Sequence, residues 1–277
     1  MLDGVEKAWR TYRSQLKRCR EEFSNEAIHD LRVAARRLVA MTRLLHAIEP
    51  RPRLQKTIRI LKEQLDEFDD LRDTQVILAE ISETIQELPE LQAFQKRQRH
   101  QEDKLRRNVR KRVGKFSSKE LSRHFHKIHD SVETESREDL EAEIMRAVDD
   151  IYLVTQQRLS VVDPARPSTI HRLRIAFKTF RYMVEIIHPL MTHFPVTHLK
   201  SMQDYQSLMG EVQDAEVFLQ TLQDFSGKTS PSDLEAVHHY YERRLAEAIA
   251  VFAGGMNQVH NFWRTAPDQP FPWENPQ

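Results

Sequence analysis

Apolar and polar side chains recur at helical spacing along almost the whole chain, and the interruptions are brief: "FSNE" (23–26), "EPRP" (49–52), "ELPE" (87–90), "GKFSSKE" (114–120), "DPARPST" (163–169), "HFPV" (193–196) and "SGKTSPSD" (226–233). These breaks supply helix starts. Ser24 or Asn25 can cap a helix carrying His29, Ser168 one carrying His171, and Ser232 or Asp233 a later one. About a dozen helices or fewer, joined by short connections, follow from this pattern, and alternating strand-like runs are missing. At 100° per residue, His29, Arg32, Arg36 and Arg43 fall within an arc of about 60°, and Leu31, Ala34, Leu38, Met41, Leu45 and Ile48 lie roughly opposite. One face is core and the other cationic.

The same layout returns in the second half. "HDLRVAARRLVAMTR" (29–43) is answered by "HRLRIAFKTFRYMVE" (171–185), with His171, Arg174, Lys178, Arg181 and Tyr182 set against Leu173, Ala176, Phe180, Met183 and Ile187. Further on, "LRDTQVIL" (71–78) matches "VQDAEVFL" (212–219), placing Asp73 over Asp214, and His46 falls over His188. A duplicated helical unit explains this order, and two like halves usually pack about a pseudo-twofold axis with equivalent helices facing one groove.

Composition agrees with an all-α chain. Among 277 residues there are only six glycines, and Leu, Glu, Gln, Arg and Ala are abundant. The single cysteine, Cys19, excludes an intramolecular disulfide framework, and no stretch approaches the roughly eighteen apolar residues of a membrane span. A soluble protein of a reducing compartment, the cytoplasm, is expected, with no membrane partner. Formal net charge is zero, so any polyanion site must come from local sorting of charge. That sorting is present: residues 95–115 carry ten Lys/Arg against two acids, and 133–150 eight acids against two Arg. The acidic stretch reads as a solvated helix face.

The two histidine stripes read differently. Solvated faces mix signs, because like charges four apart on a helix repel by a few tenths of a kcal/mol. Here the only acid between His29 and Arg43 is Asp30, and His171 through Val184 contains none. Another helix must supply carboxylates, or a polyanion must. Each histidine is expected in the first turn of its helix, where free N–H groups favour an anion and an arriving phosphate would favour imidazole protonation. A stripe of fourteen residues spans roughly 21 Å, suited to a chain of phosphates rather than to one.

These motifs, "HDLRVAARRL" (29–38), "LRDTQV" (71–76), "HRLRIAFKTFRY" (171–182) and "LKSMQDYQSLMGEVQDAEV" (199–217), resemble the conserved histidine α-helical domain, or CHAD, family. The resemblance covers residues 1 to about 263. It implies an all-α fold of two pseudo-twofold-related four-helix halves, about 1–132 and 133–263, followed by a Pro-rich tail, 264–277, that either docks through Phe271 and Trp273 or stays mobile. It also implies a central groove that binds inorganic polyphosphate. Carried over residue by residue, the binders are His29, Arg32, Arg36, Arg37, His171, Arg174, Lys178 and Arg181, with Lys62 and Lys200 from the third helices; Arg43 and Tyr182 complete the stripes. Thr179 stands where the first half has Arg37, Glu185 where it has Arg43, and Asp69 where the second half has Gly210, which leaves the two walls unequal. Family members often follow a triphosphate-tunnel domain; this chain reads as a stand-alone module. Storage-granule targeting, sensing and recruitment are the roles open to such a groove.

Polyphosphate needs guanidinium forks and ammonium charges but no stacking platforms. Tyr182 is the lone aromatic interleaved in the stripes, whereas single-strand nucleic-acid readers use several, so no specific nucleic-acid role is expected. The enzyme alternative is "DDLRD" (69–73), a DDxxD pattern as in helical prenyl synthases, with Asp66, Asp69, Asp70 and Asp73 on one face to hold Mg²⁺ for pyrophosphate chemistry. Its second acidic motif is missing, since the matching region reads "GEVQD". Asp73 and Asp214 would then hold Arg or His by charge-assisted hydrogen bonds. No phosphate-loop glycine pattern occurs. No catalytic residue, metal or cofactor is expected, and a scaffold taking an acidic protein partner is the remaining alternative.

Overall fold

The structure, a computed structural model, describes residues 2–129, 137–226 and 234–274. Among these the regular elements are all helical: α1 (Leu2–Glu22), α2 (Asn25–Ile48), α3 (Pro52–Asp66), α4 (Asp69–Thr84), α5 (Leu91–Lys115), α6 (Ser118–His129), α7 (Arg137–Leu159), α8 (Pro167–Ile187), α9 (His198–Ser226) and α10 (Glu235–Gly255), with 3₁₀ turns at His188–Leu190 and Met256–Asn261. Ser24 caps α2 as expected, its hydroxyl accepting from the Ala27 N–H at 3.1 Å. Ser168 does not cap α8. That helix starts one residue earlier, at Pro167, whose fixed φ and missing N–H suit the first helical position. The proposed caps Ser232 and Asp233 lie outside the described residues.

The repeat is visible element by element. α1 corresponds to α7, α2 to α8, α3 with α4 to α9, and α5 to α10, giving four paired limbs, while α6 of the first half has no α-helical counterpart among the described residues. The third limb differs. In the first half it breaks at residues 67–68, where Phe68 turns into the core at 2 % exposure, while α9 runs unbroken through the equivalent positions. Asp66 therefore ends one helix while Asp69, Asp70 and Asp73 begin the next, so the expected face on one continuous helix is broken, and Asp70 is set apart from Asp66, Asp69 and Asp73.

Three apolar cores hold the molecule. One lies under α1, α2 and α3, closed by α5 and α6, and contains Trp9, Tyr12, Leu38 and Phe68. The second, with Tyr152, Phe177, Phe180, Tyr205 and Trp263, lies under α7, α8 and α9. A third, with Ile81, Phe94, Phe218 and Tyr241, joins the α4–α5 hairpin of one half to the α9–α10 hairpin of the other. The tail docks through to Glu274: Phe271 stacks on Trp273, and Trp273 packs edge-on against His198 at 4.8 Å.

α2 and α8 meet directly. Arg43 Nη1 donates to Thr179 Oγ1 at 2.9 Å, and Arg37 Nε lies 3.5 Å from Glu185 Oε2. The repeat maps 43 onto 185 and 37 onto 179, so a twofold operation exchanges these two contacts. Ala40 and Tyr182 fall on its axis, both buried in the same core.

Candidate functional site

On one side of this crossing the two helices, with the end of α3, the start of α4 and the middle of α9, enclose a groove of about 900 Å³. Nine of the twelve residues singled out in the sequence line it: His29, Arg32, Arg36, Arg43, Lys62, His171, Arg174, Lys178 and Tyr182. Most of the apolar side of α2 is pinned in the first core and that of α8 in the second, which Ala40 and Leu44 of α2 also enter, and this turns both cationic stripes toward one space.

The other three are not brought into it. Arg37 sits about one-quarter turn round α2 from Arg36 and meets Glu185 at the α2–α8 contact. Arg181 is buried between α8 and α9, where Nε donates to Gln206 at 2.9 Å, another guanidinium nitrogen donates to Glu185, and the charge stacks 4.6 Å from the Tyr182 ring. Lys200 is exposed and pairs with Asp204 one turn along α9. Its repeat equivalent is Arg59, not Lys62, so the two lysines do not share a face.

Sequence reasoning missed part of the lining. Arg72 and Gln213, which are repeat equivalents, both face the groove, as do Asp66, Asp69, Asp73 and Asp214. The signal is present in the repeat itself, where "LRDTQV" and "VQDAEV" pair Arg72 with Gln213 one residue before the aspartates. Seven Lys/Arg thus meet four carboxylates, leaving a positive excess before either histidine is counted.

The carboxylates are unevenly placed. Asp69 accepts from Arg32 Nη2 at 3.1 Å, and it is this residue, not Asp73 or Asp214, that makes a charge-assisted hydrogen bond to a groove arginine among the described residues. At the repeat position of Asp69 stands Gly210, where an added Cβ would lie 3.7 Å from Arg174 Nε. Arg174 therefore lacks the partner that Arg32 has. Desolvation, then Asp69 and Asp214, push the Asp73 carboxyl up; desolvation also raises Asp214, against the pull of Arg174 and Arg72.

The cations carry the opposite perturbation. Desolvation lowers Arg32, Arg43 and Arg174, with neighbouring guanidinium groups adding to it at Arg32 and Arg174. Lys178 is pushed down to about 8, first by desolvation and then by Arg36 and Arg174. Three buried nitrogens in this lining, Arg32 Nη1, Arg174 Nε and His171 Nδ1, have no hydrogen-bond partner in the protein. Buried donors without partners cost about 1–3 kcal/mol each, more when charged. The three atoms are sealed from solvent, so an anion with several acceptor oxygens would satisfy them once the guanidinium and imidazole groups turn toward the groove, and it would raise the depressed lysine.

His29 and His171 begin the second turn of their helices rather than sitting in the first. They are not alike: His29 is exposed and His171 half-buried. No group of three His, Cys, Asp or Glu among the described residues could hold a metal ion, and no helix is long and apolar enough to cross a membrane.

Residues 4–223 match the family model for the CHAD domain. Among solved structures, the crystal structure of the CHAD domain from the plant Ricinus communis is similar in fold, with a TM-score of 0.67, 19% sequence identity, and 91% of this chain and 89% of that chain covered. A comparison with curated proteins found no match.

Proposed function

This chain belongs to the CHAD domain family, and we propose that its groove binds inorganic polyphosphate without turning it over. The observation that carries this reading is the set of buried, partnerless nitrogens on equivalent helices of both halves, Arg32 Nη1 on one wall and Arg174 Nε and His171 Nδ1 on the other. They sit in a groove with more cations than carboxylates, so a linear polyanion with oxygens on every unit supplies both the missing acceptors and the missing charge.

The aromatic inventory supports polyphosphate over nucleic acid. The rings lining the groove, Phe68 and Tyr182, are buried and already face guanidinium groups, Arg32 at 5.9 Å and Arg181 at 4.6 Å. Neither offers a free face for a base. The carboxylates nearest the guanidinium groups hold and space them, a binding role that needs no proton transfer. A protein that holds the polymer and leaves it intact is thereby carried to wherever polyphosphate accumulates, including storage granules.

Titration with polyphosphate, RNA and poly-glutamate at equal charge and several salt concentrations tests this. Polyphosphate is expected to bind tightest, with affinity falling steeply as salt rises. Arg32→Ala combined with Arg174→Ala should weaken it by more than about tenfold while helix content is retained. Equal binding of all three polymers, or Mg²⁺-dependent release of phosphate, would overturn the reading.

A further inference from the structure

A second run of cations lies outside the groove. α5 is packed on its apolar side through Phe94, Val109 and Val113. At 100° per residue Lys96, Arg99, Lys104, Arg107, Lys111 and Lys115 fall within an arc of roughly 160° on the other side, along about 28 Å of helix. All six are exposed, and among the described residues none pairs with a carboxylate; the ion pairs of α5 are made by Arg106 and Arg112. On α1, by contrast, Arg10, Lys17 and Arg18 are answered four residues on or back by Glu6, Glu21 and Glu22. Asp103 is the one acid in the same arc, and it makes no ion pair within 4 Å among the described residues, so six cations share one carboxylate and the α5 face, like the groove, carries more positive charge than it neutralises.

The two regions are joined. Arg106, at the edge of this face, donates to Asn25 Oδ1 at 2.5 Å and to the Phe23 carbonyl at 3.2 Å. Gln75 Nε2 donates to both Asn25 Oδ1, at 3.0 Å, and Glu102 Oε1, at 3.1 Å. Asn25 and Gln75 line the groove beside His29. α5 therefore passes the mouth at the His29 end.

We propose that a polyphosphate chain too long for the groove leaves it past Asn25 and Gln75 and lies along the outer face of α5, so that long chains bind more tightly than short ones. This rests on the groove reading above. A chain anchored in the groove presents its free length to α5 at high effective concentration, so weak, exposed contacts suffice. Residues 95–115 include no Phe, Tyr or Trp, which disfavours single-stranded nucleic acid, and a flexible thread can follow the turn at the mouth where a duplex cannot.

The test compares the full chain with a variant combining Lys96→Gln, Arg99→Gln, Arg107→Gln and Lys111→Gln, titrated with polyphosphate of about 10 and about 100 units. Thermal melting checks folding, and duplex DNA and sedimentation serve as further arms. Long-chain affinity should fall about tenfold or more, with short-chain affinity held within about twofold. Unchanged long-chain affinity, or equal loss at both lengths, overturns the proposal. So does a loss confined to duplex DNA, or a change of oligomeric state with polyphosphate binding intact. If the unmodified protein binds neither length, the groove reading itself fails; if it binds both equally, this inference alone does.

Discussion

Arg32 and Arg174 occupy equivalent positions and differ in one neighbour: Asp69 hydrogen-bonds the first, while Gly210 leaves the second with Asp214 nearby but no hydrogen-bonded carboxylate. A single side chain therefore sets how much charge each wall offers. Gly210→Ala has room, since its Cβ meets Arg174 at ordinary contact distance, and should stabilise α9 by up to about 1 kcal/mol in thermal or urea melts without changing polyphosphate affinity. Gly210→Asp should copy the first half, engage Arg174 and lower affinity about tenfold in the same titration. Lys178 gives the groove a pH dependence. Its ammonium, depressed to about 8 from 10.5, is charged below that pH and neutral above it, so polyphosphate affinity should fall as pH rises through about 8. Binding above that point should take up a proton, detectable by calorimetry in buffers of different ionisation enthalpy, and Lys178→Arg should flatten the profile. Without ligand the sign reverses. The unfolded chain holds this proton up to about 10.5, so the lysine's contribution to stability grows between about pH 8 and that value.

The α2–α8 pair explains departures from the repeat that look arbitrary in one dimension. The twofold brings position 37 of one half against 185 of the other, and 43 against 179. A faithful repeat would place four arginines there. Instead the second half supplies Glu185 and Thr179, a carboxylate and a hydroxyl, to receive Arg37 and Arg43. Glu185 also holds Arg181, whose side chain is 10% exposed. Glu185→Ala should therefore leave a buried guanidinium short of its partner and destabilise the protein by roughly 3 kcal/mol, read as a lowered denaturation midpoint. Most helix boundaries, the two stripes and the duplication were legible from spacing alone, because amphipathic periodicity is local. Arg37, Arg181 and Lys200 do not line the groove: Arg37 meets an acid from a helix more than a hundred residues away, a pose that spacing does not carry, whereas Arg181 and Lys200 pair with Glu185 and Asp204 four residues on, a signal the sequence does hold. The break at 67–68 was hidden for a related reason: "QLDEFDDLRD" has continuous helical character, and only burial of Phe68 turns the chain there.

Across the molecule, a formal charge of zero conceals strong sorting. The cores at α1–α3 and α7–α9 each fix one cationic helix, and the third core, which ties the two long hairpins together, holds those helices at a groove between the halves. That third core was not legible from the repeat, since its pattern marks which residues are apolar and not which half they bury against. The account stands on cations that the protein leaves without partners. Crystals soaked with a short polyphosphate test that most directly. Phosphate oxygens should appear within hydrogen-bonding distance of Arg32 Nη1, Arg174 Nε and His171 Nδ1, along a path between α2 and α8. Density on other surfaces only, with those three nitrogens still unengaged, would contradict it.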